Sequence, residues 1–206
     1  MLNHITWLGH DTFRIDTDGK VIYFDPYKIK GGVPADIIFI THGHFDHCSP
    51  DDLKRIVKPS TIIVSDVTCA ERLKGKAKAI LPGDKQIVAG VEVEAVPAYN
   101  IDKKYHPKSQ RMVGFIIQLN GVKIYHAGDS DLIPEMKAIK TDIALLPVGG
   151  TFTMTADEAI QAALLIKPKI AVPMHYGTEV GTEADALKFS NGLKGKVEVV
   201  ILKQAE

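Results

Sequence analysis

Neither sign of charge is in excess in this chain. Its 25 basic and 25 acidic side chains cancel to a formal charge of zero over 206 residues. That balance argues against a long nucleic-acid footprint, although it leaves room for a local basic patch. Cysteine is almost missing, with only Cys48 and Cys69 present. Two are too few for a disulfide framework, and a reducing, cytoplasmic setting is expected. Cys48 then reads as a small buried apolar residue rather than a soft metal ligand. No apolar run approaches the roughly 18 residues that a membrane span requires. The opening Met1-Leu2-Asn3-His4 lacks the charged-then-apolar order of a signal peptide. No internal repeat, low-complexity tract or linker is evident. The remaining composition, 45% hydrophobic and 24% charged, is ordinary for a globular protein. The length fits a single domain over residues 1–206.

Periodicity and turn chemistry place the elements. Residues 5–8, 12–15 and 21–24 are short β-prone runs, the last two joined by a hairpin turn at Thr17-Asp18-Gly19-Lys20. The apolar run 35–40 reads as a buried strand. Ser49-Pro50 opens a helix, with Ser49 as its N-cap and Pro50 at the first helical position. Strands are expected at 61–64, 80–81, 86–89 and 91–96, and a helix at 67–73. Asn120-Gly121 turns a hairpin between 113–119 and 122–126. Beyond it, strands at 143–146, 170–172 and 197–202 alternate with helices at 134–139, 155–166 and 183–189. Thr155 and Glu158 form a capping box on the second of these helices. Two groups of strands, each with its own helices, imply a four-layer αββα sandwich of two mixed sheets. The loop 98–111 is the one long stretch without a period, and loops of that length are usually functional or mobile.

Residues 41–47 read Thr-His-Gly-His-Phe-Asp-His. Imidazoles and carboxylates at this density suit zinc, manganese or iron, and the set is too rich for one ion. It begins where the strand 35–40 ends, which is where open sheets carry their sites. His42 and His44 are two apart, so on extended backbone they point the same way and can grip one ion. Asp46 and His47 follow on a turn and can face a second. Gly128-Asp129 puts a carboxylate just after another strand, where it can bridge two ions. Val172-Pro173-Met174-His175 puts one more imidazole at a strand end.

His42-x-His44-x-Asp46-His47, Gly128-Asp129 and Pro173-Met174-His175-Tyr176 resemble the successive motifs of the metallo-β-lactamase superfamily. Pro147-Val148-Gly149-Gly150-Thr151 and Trp7-Leu8-Gly9-His10 resemble its branch of small metal-dependent hydrolases related to L-ascorbate-6-phosphate lactonase. The likeness runs from residue 4 to about 180, and the superfamily's αββα fold agrees with the sandwich. It implies that His42 and His44 hold a first ion, that Asp46, His47 and His175 hold a second, and that Asp129 bridges them. His10 and Thr151 are implied near the substrate, with His10 and His126 more apt to support the ligands than to be ligands. Asp25 is expected to fix nearby loops by hydrogen bonds. Many relatives place a third histidine of the first site before the Gly-Asp motif. Here Asn100 stands at that place and binds metal more weakly, or faces the substrate. His106, six residues on, either replaces the missing ligand, donates a proton to the substrate, or is a surface histidine.

The expected activity is hydrolysis of a small ester, lactone or phosphodiester, such as a sugar-phosphate lactone, by water activated on one or two divalent ions, zinc first, manganese next, iron third. Asp46 would orient that water or accept its proton, and His106 could serve the leaving group. The substrate is expected to be a small molecule, with no nucleic acid or membrane partner, and a homo-oligomer is compatible with the chain. The rivals are a nuclease of the same superfamily, a metal- or ligand-binding protein without catalysis, and an iron-dependent oxygenase acting on persulfides.

Overall fold

The chain folds as two mixed β-sheets laid face to face with helices on their outer surfaces. The computed structural model describes residues 1–17 and 19–205. Asp18 of the expected first hairpin turn lies outside the described residues. The first sheet holds β1 (Ile5–Gly9), β2 (Thr12–Thr17), β3 (Lys20–Phe24), β4 (Ile37–Ile40), β5 (Ile62–Ser65) and β6 (Lys78–Ala79), side by side in chain order. α1 (Pro50–Ile56) and α2 (Val67–Arg72) are the crossovers on either side of β5. β1, β2 and β3 are antiparallel, and β3 to β6 are parallel. The second sheet runs antiparallel through β7 (Lys85–Val88), β8 (Val91–Pro97), β9 (Val113–Leu119) and β10 (Val122–His126). It continues in parallel through β11 (Ile143–Pro147), β12 (Ile170–Met174) and β13 (Glu198–Val199). α3 (Ala156–Ile166) and α4 (Glu183–Leu193) cover its outer face.

The strand β4 shows why its sequence is apolar without alternation. Ile37 and Phe39 enter the core between the sheets, whereas Ile38 and Ile40 pack outward with Leu53 and Ile56 of α1. A strand buried on both faces needs apolar residues at every position. Between the sheets, Phe39 lies 5.3 Å from Phe24 and 5.0 Å from Phe115, centroid to centroid. Helix starts follow the side-chain chemistry. Ser49 accepts the Asp52 N–H, with Pro50 at the first helical position. Thr155 accepts the Glu158 N–H while Glu158 accepts the Thr155 N–H, closing the expected capping box.

Several boundaries differ from the sequence pattern. The strand expected at 80–81 forms two residues earlier, at Lys78–Ala79. α4 runs past 189 to Leu193 because Phe189 and Leu193 are both buried on its inner face. The strand expected at 197–202 is only two residues long. After it the chain leaves the sheet, and the Ala205 N–H donates to the Trp7 carbonyl while Gln204 donates to Leu8. The cysteines also need a correction. They make no framework, but Cys48 and Cys69 form one disulfide between the start of α1 and α2, with Cα atoms 6.3 Å apart. The Cys48 sulfur is therefore committed to that bridge and is no metal ligand. Among the described residues, no helix is long and apolar enough to cross a membrane.

One rim of the sandwich collects the ends of β3, β4, β10 and β12, the turn between β1 and β2, and the long connection from β8 to β9. Every metal-capable residue singled out in the sequence lies on that rim.

Candidate metal centre

A first nest of nitrogens forms where β4 ends. His42 Nε2 and His106 Nε2 each lie 3.1 Å from His44 Nδ1. A tetrahedral ion with nitrogen ligands near 2.05 Å sets those nitrogens about 3.3 Å apart, so the spacing suits three ligands of one ion. Gly43 is required between the two histidines. A Cβ there would come within 2.8 Å of the Thr68 hydroxyl on α2. Burial pushes the His42 imidazole well below its ordinary pKa and lowers His106 to about 4. Both rings are thus neutral at neutral pH and carry a free lone pair.

Supporting hydrogen bonds decide which nitrogen points inward. The Thr41 hydroxyl donates to Asp25 Oδ2 at 2.7 Å, so it accepts from His42 Nδ1 at 3.0 Å and leaves Nε2 for the nest. His106 Nδ1 donates to Asn100 Oδ1 at 3.0 Å, and the His106 backbone N–H donates to the same oxygen at 3.1 Å. The Asn100 amide is itself fixed, donating to Asp131 Oδ1 at 3.2 Å and to the Phe152 carbonyl at 2.8 Å. Asn100 is therefore neither a ligand nor a substrate contact. It is buried and sets the angle of the His106 ring, as outer partners of metal-binding histidines do. His106 is only 1% exposed, which removes the surface-histidine reading.

A second nest lies beside the first. His47 Nε2 is 3.3 Å from Asp129 Oδ1 and 3.9 Å from Asp46 Oδ2. His175 Nε2 is 3.4 Å from Asp129 Oδ2. The same Asp129 Oδ2 is 3.3 Å from His106 Nε2 and 3.9 Å from His42 Nε2, so this carboxylate touches both nests. His47 Nδ1 donates to Asp25 Oδ2 at 2.8 Å, completing a carboxylate–histidine pair behind the site. Asp25 thus does what the sequence suggested, binding Thr41 and His47 at once.

The charges in this nest are tightly linked. Burial works against the His47 cation, but Asp129 and Asp25 outweigh it and hold its pKa well above the ordinary range. Burial likewise opposes the His175 cation, yet Asp129 and Asp11 raise it to about 9. Burial favours neutral Asp129, and His47 and His175 overcome this and keep it ionised. Asp46 falls to about 2, its burial outweighed by the His10 hydrogen bond and the His47 charge.

These groups fit metal ions better than they fit one another. His47 Nε2, Asp129 Oδ1 and both nitrogens of His175 are buried without a hydrogen-bond partner. They are close, but they converge on shared points rather than align donor to acceptor. Buried polar atoms left in this state cost about 1–3 kcal/mol each, which coordination would remove. His10, Asp25 and His175 also hold φ of +51°, +40° and +59°. Left-handed backbone at such residues costs energy and clusters at working sites.

His10 is nearer the donors than expected. Its Nε2 lies 3.2 Å from Asp46 Oδ2, and it groups with His47 and His175 rather than lining the cleft. His126 is a packing residue, its ring stacked on Phe24 and its Nε2 donating to the Asp11 carbonyl. Thr151 is corrected: it is exposed and outside the cleft, and its neighbour Phe152 lines the wall instead. Asp11 was missed. Its carboxylate is fully buried, neither oxygen has a partner, and it groups with His47, Asp129 and His175. Burial raises its pKa well above the carboxylate range. A lone aspartate in a turn gives no sequence signal, and only the fold brings it to the others.

Comparison with known proteins agrees with this geometry. Residues 4–175 match the family model described as the beta-lactamase superfamily domain. A UPF0173 metal-dependent hydrolase of Archaeoglobus fulgidus is 35% identical over 98% of this chain and 96% of its own. One from Methanopyrus kandleri is 32% identical over 98% and 97%. Among solved structures, Igni18, a metallo hydrolase of the archaeon Ignicoccus hospitalis, superposes with a TM-score of 0.81 at 28% identity, covering 98% of this chain and 95% of its own. With its sandwich, its strand-end donors and relatives spanning almost its whole length, the chain belongs to the metallo-β-lactamase superfamily and, within it, to the UPF0173 metal-dependent hydrolases.

Proposed function

We propose that the protein hydrolyses a small ester, lactone or phosphodiester with water activated by two divalent ions, one in each nest. The observation that carries this reading is Asp129, whose two oxygens reach His47 on one side and His106 on the other. His42, His44 and His106 would hold the first ion. Asp46, His47 and His175 would hold the second, with Asp129 shared. Zinc suits this donor set best, manganese next and iron third. When bound, such ions lower the pKa of water and polarise a carbonyl or phosphoryl oxygen.

The chain's own residues supply the positioning. Asp46 stays ionised, is held by His10, and faces the cleft, where it accepts a hydrogen bond from the attacking water. His106 has Nδ1 tied to Asn100 and Nε2 turned to the first nest, so it serves as a ligand rather than a proton donor. In the reaction the water oxygen bonds to the acyl carbon or phosphorus, the bond to the leaving oxygen breaks, and the water proton ends on the departing alcohol.

Asp46→Ala tests the assignment. Turnover of p-nitrophenyl esters by zinc-loaded protein should fall roughly a hundredfold, with the circular dichroism spectrum retained. Activity equal to that of the wild type would remove Asp46 from the mechanism.

A further inference from the structure

We infer that the site selects an uncharged ester or lactone carrying an apolar group and discriminates against phosphodiesters, sugar phosphates and other anions; this rests on the hydrolase reading above and narrows its substrate set. The donors open into a cleft of about 450 Å³ with His44, Asp46, His106 and Asp129 at its floor. Its walls are Phe45, Tyr105, Phe152 and Val180, with Glu179 the one further charged residue. Phe45 stands between the donors His44 and Asp46 and is 61% exposed, and Tyr105 is 44% exposed. The Tyr105 ring meets Phe152 edge-on at 4.7 Å, which makes a firm apolar wall. Large rings held open around a reaction centre are what small-molecule sites use to bind an apolar group.

Apart from the ions proposed at its floor, the described walls of this cleft offer a phosphate no cation. Among the described residues, no Lys or Arg lines it. Lys28 is nearby, but it and Tyr27 both donate to Glu179 Oε1, so its charge is already matched. Lys103 is spent on Asp131. Lys104 is exposed and lies outside the lining. Phosphate sites generally present Arg, Lys or backbone N–H clusters to the anion. Here an anionic substrate would find no cationic side chain in the walls, and at the mouth it would meet only the Lys28–Glu179 ion pair, whose charges cancel.

The test uses two esters with one leaving group that differ by a single charge, p-nitrophenyl hexanoate and mono-p-nitrophenyl adipate, on zinc-loaded protein. We expect kcat/KM to favour the hexanoate about tenfold or more, and KM for it to rise roughly tenfold in Phe152→Ala. Glu179→Gln should narrow the preference at least about threefold. The uncleavable pentyl aryl ketone and its ω-carboxylate, compared by calorimetry, give a readout independent of turnover, and the uncharged ketone should bind more tightly. Adipate turnover equal to or above that of the hexanoate, or tighter binding of the carboxylate, would overturn the inference. So would a loss of adipate turnover in Lys104→Ala. Selective ketone binding without any ester cleavage would sink the hydrolase reading and leave the inference about the cleft standing.

Discussion

Asp129→Asn is expected to lower kcat/KM by about a thousandfold or more, equivalent to about 4 kcal/mol of transition-state stabilisation, and to cost the protein at least one bound ion. The change is almost isosteric, so the fold should survive it. It replaces one of two carboxylate oxygens by an NH2 group that cannot coordinate a cation. One Asp129 oxygen lies 3.3 Å from His47, and the other lies 3.3–3.9 Å from His106, His175 and His42. No other carboxylate reaches both nests in this way, among the described residues, so whichever oxygen is lost, one nest loses a donor. Elemental analysis together with ester turnover measures both effects. Wild-type metal content with wild-type turnover would show that Asp129 is not shared.

Removing the ions should change stability and protonation together. Ions held by the folded state alone, at about a thousand times their dissociation constant, stabilise it by about 4 kcal/mol, which corresponds to roughly 10 °C in Tm for a chain of this size. Chelation at pH 7 should therefore lower Tm by roughly that amount and abolish turnover. It should also consume protons, because His47 and His175 are held protonated by Asp129 once no ion competes. His42 and His106 are neutral in both states and add none. The sign follows from His175. Its folded pKa, about 9, lies above its ordinary 6.5, so its contribution to the metal-free fold is complete below 6.5 and is lost as pH rises through 9. Metal affinity rises over the same window, since the imidazole must shed its proton to bind. Differential scanning calorimetry and chelation in weak buffer test this. An unchanged Tm with no proton uptake would contradict it.

The parts of this site legible in the sequence are those that local geometry determines. His42, His44, Asp46 and His47 follow an apolar strand, and a spacing of two on extended backbone already puts His42 and His44 on one side. Asp129 and His175 were legible for a related reason, since each stands just past a strand. The same alternation made the sandwich readable, down to the capping box at Thr155 and the hairpin at Asn120-Gly121. Boundaries failed where tertiary contacts override propensity. Leu193 lengthens α4 by being buried, and the last strand is cut short because Gln204 and Ala205 turn to β1.

The roles of Asn100 and His106 could not be separated in the sequence. They sit in a loop without a period, and only its closure, with the His106 N–H on Asn100, brings the ring to His44. Asp11, Phe152 and Glu179 left no signal because each matters through neighbours distant in the chain. The disulfide was invisible for the same reason, its cysteines lying 21 residues apart, one in the turn before α1 and the other within α2.

The central claim is that two ions share Asp129 and that His106 completes the first of the two sites. Metal content of purified protein, measured by elemental analysis on the wild type and on His106→Ala in parallel, tests it most directly. About two divalent ions per chain are expected in the wild type and close to one in the variant. About one ion in both proteins would contradict it, and would leave His106 as something other than a ligand.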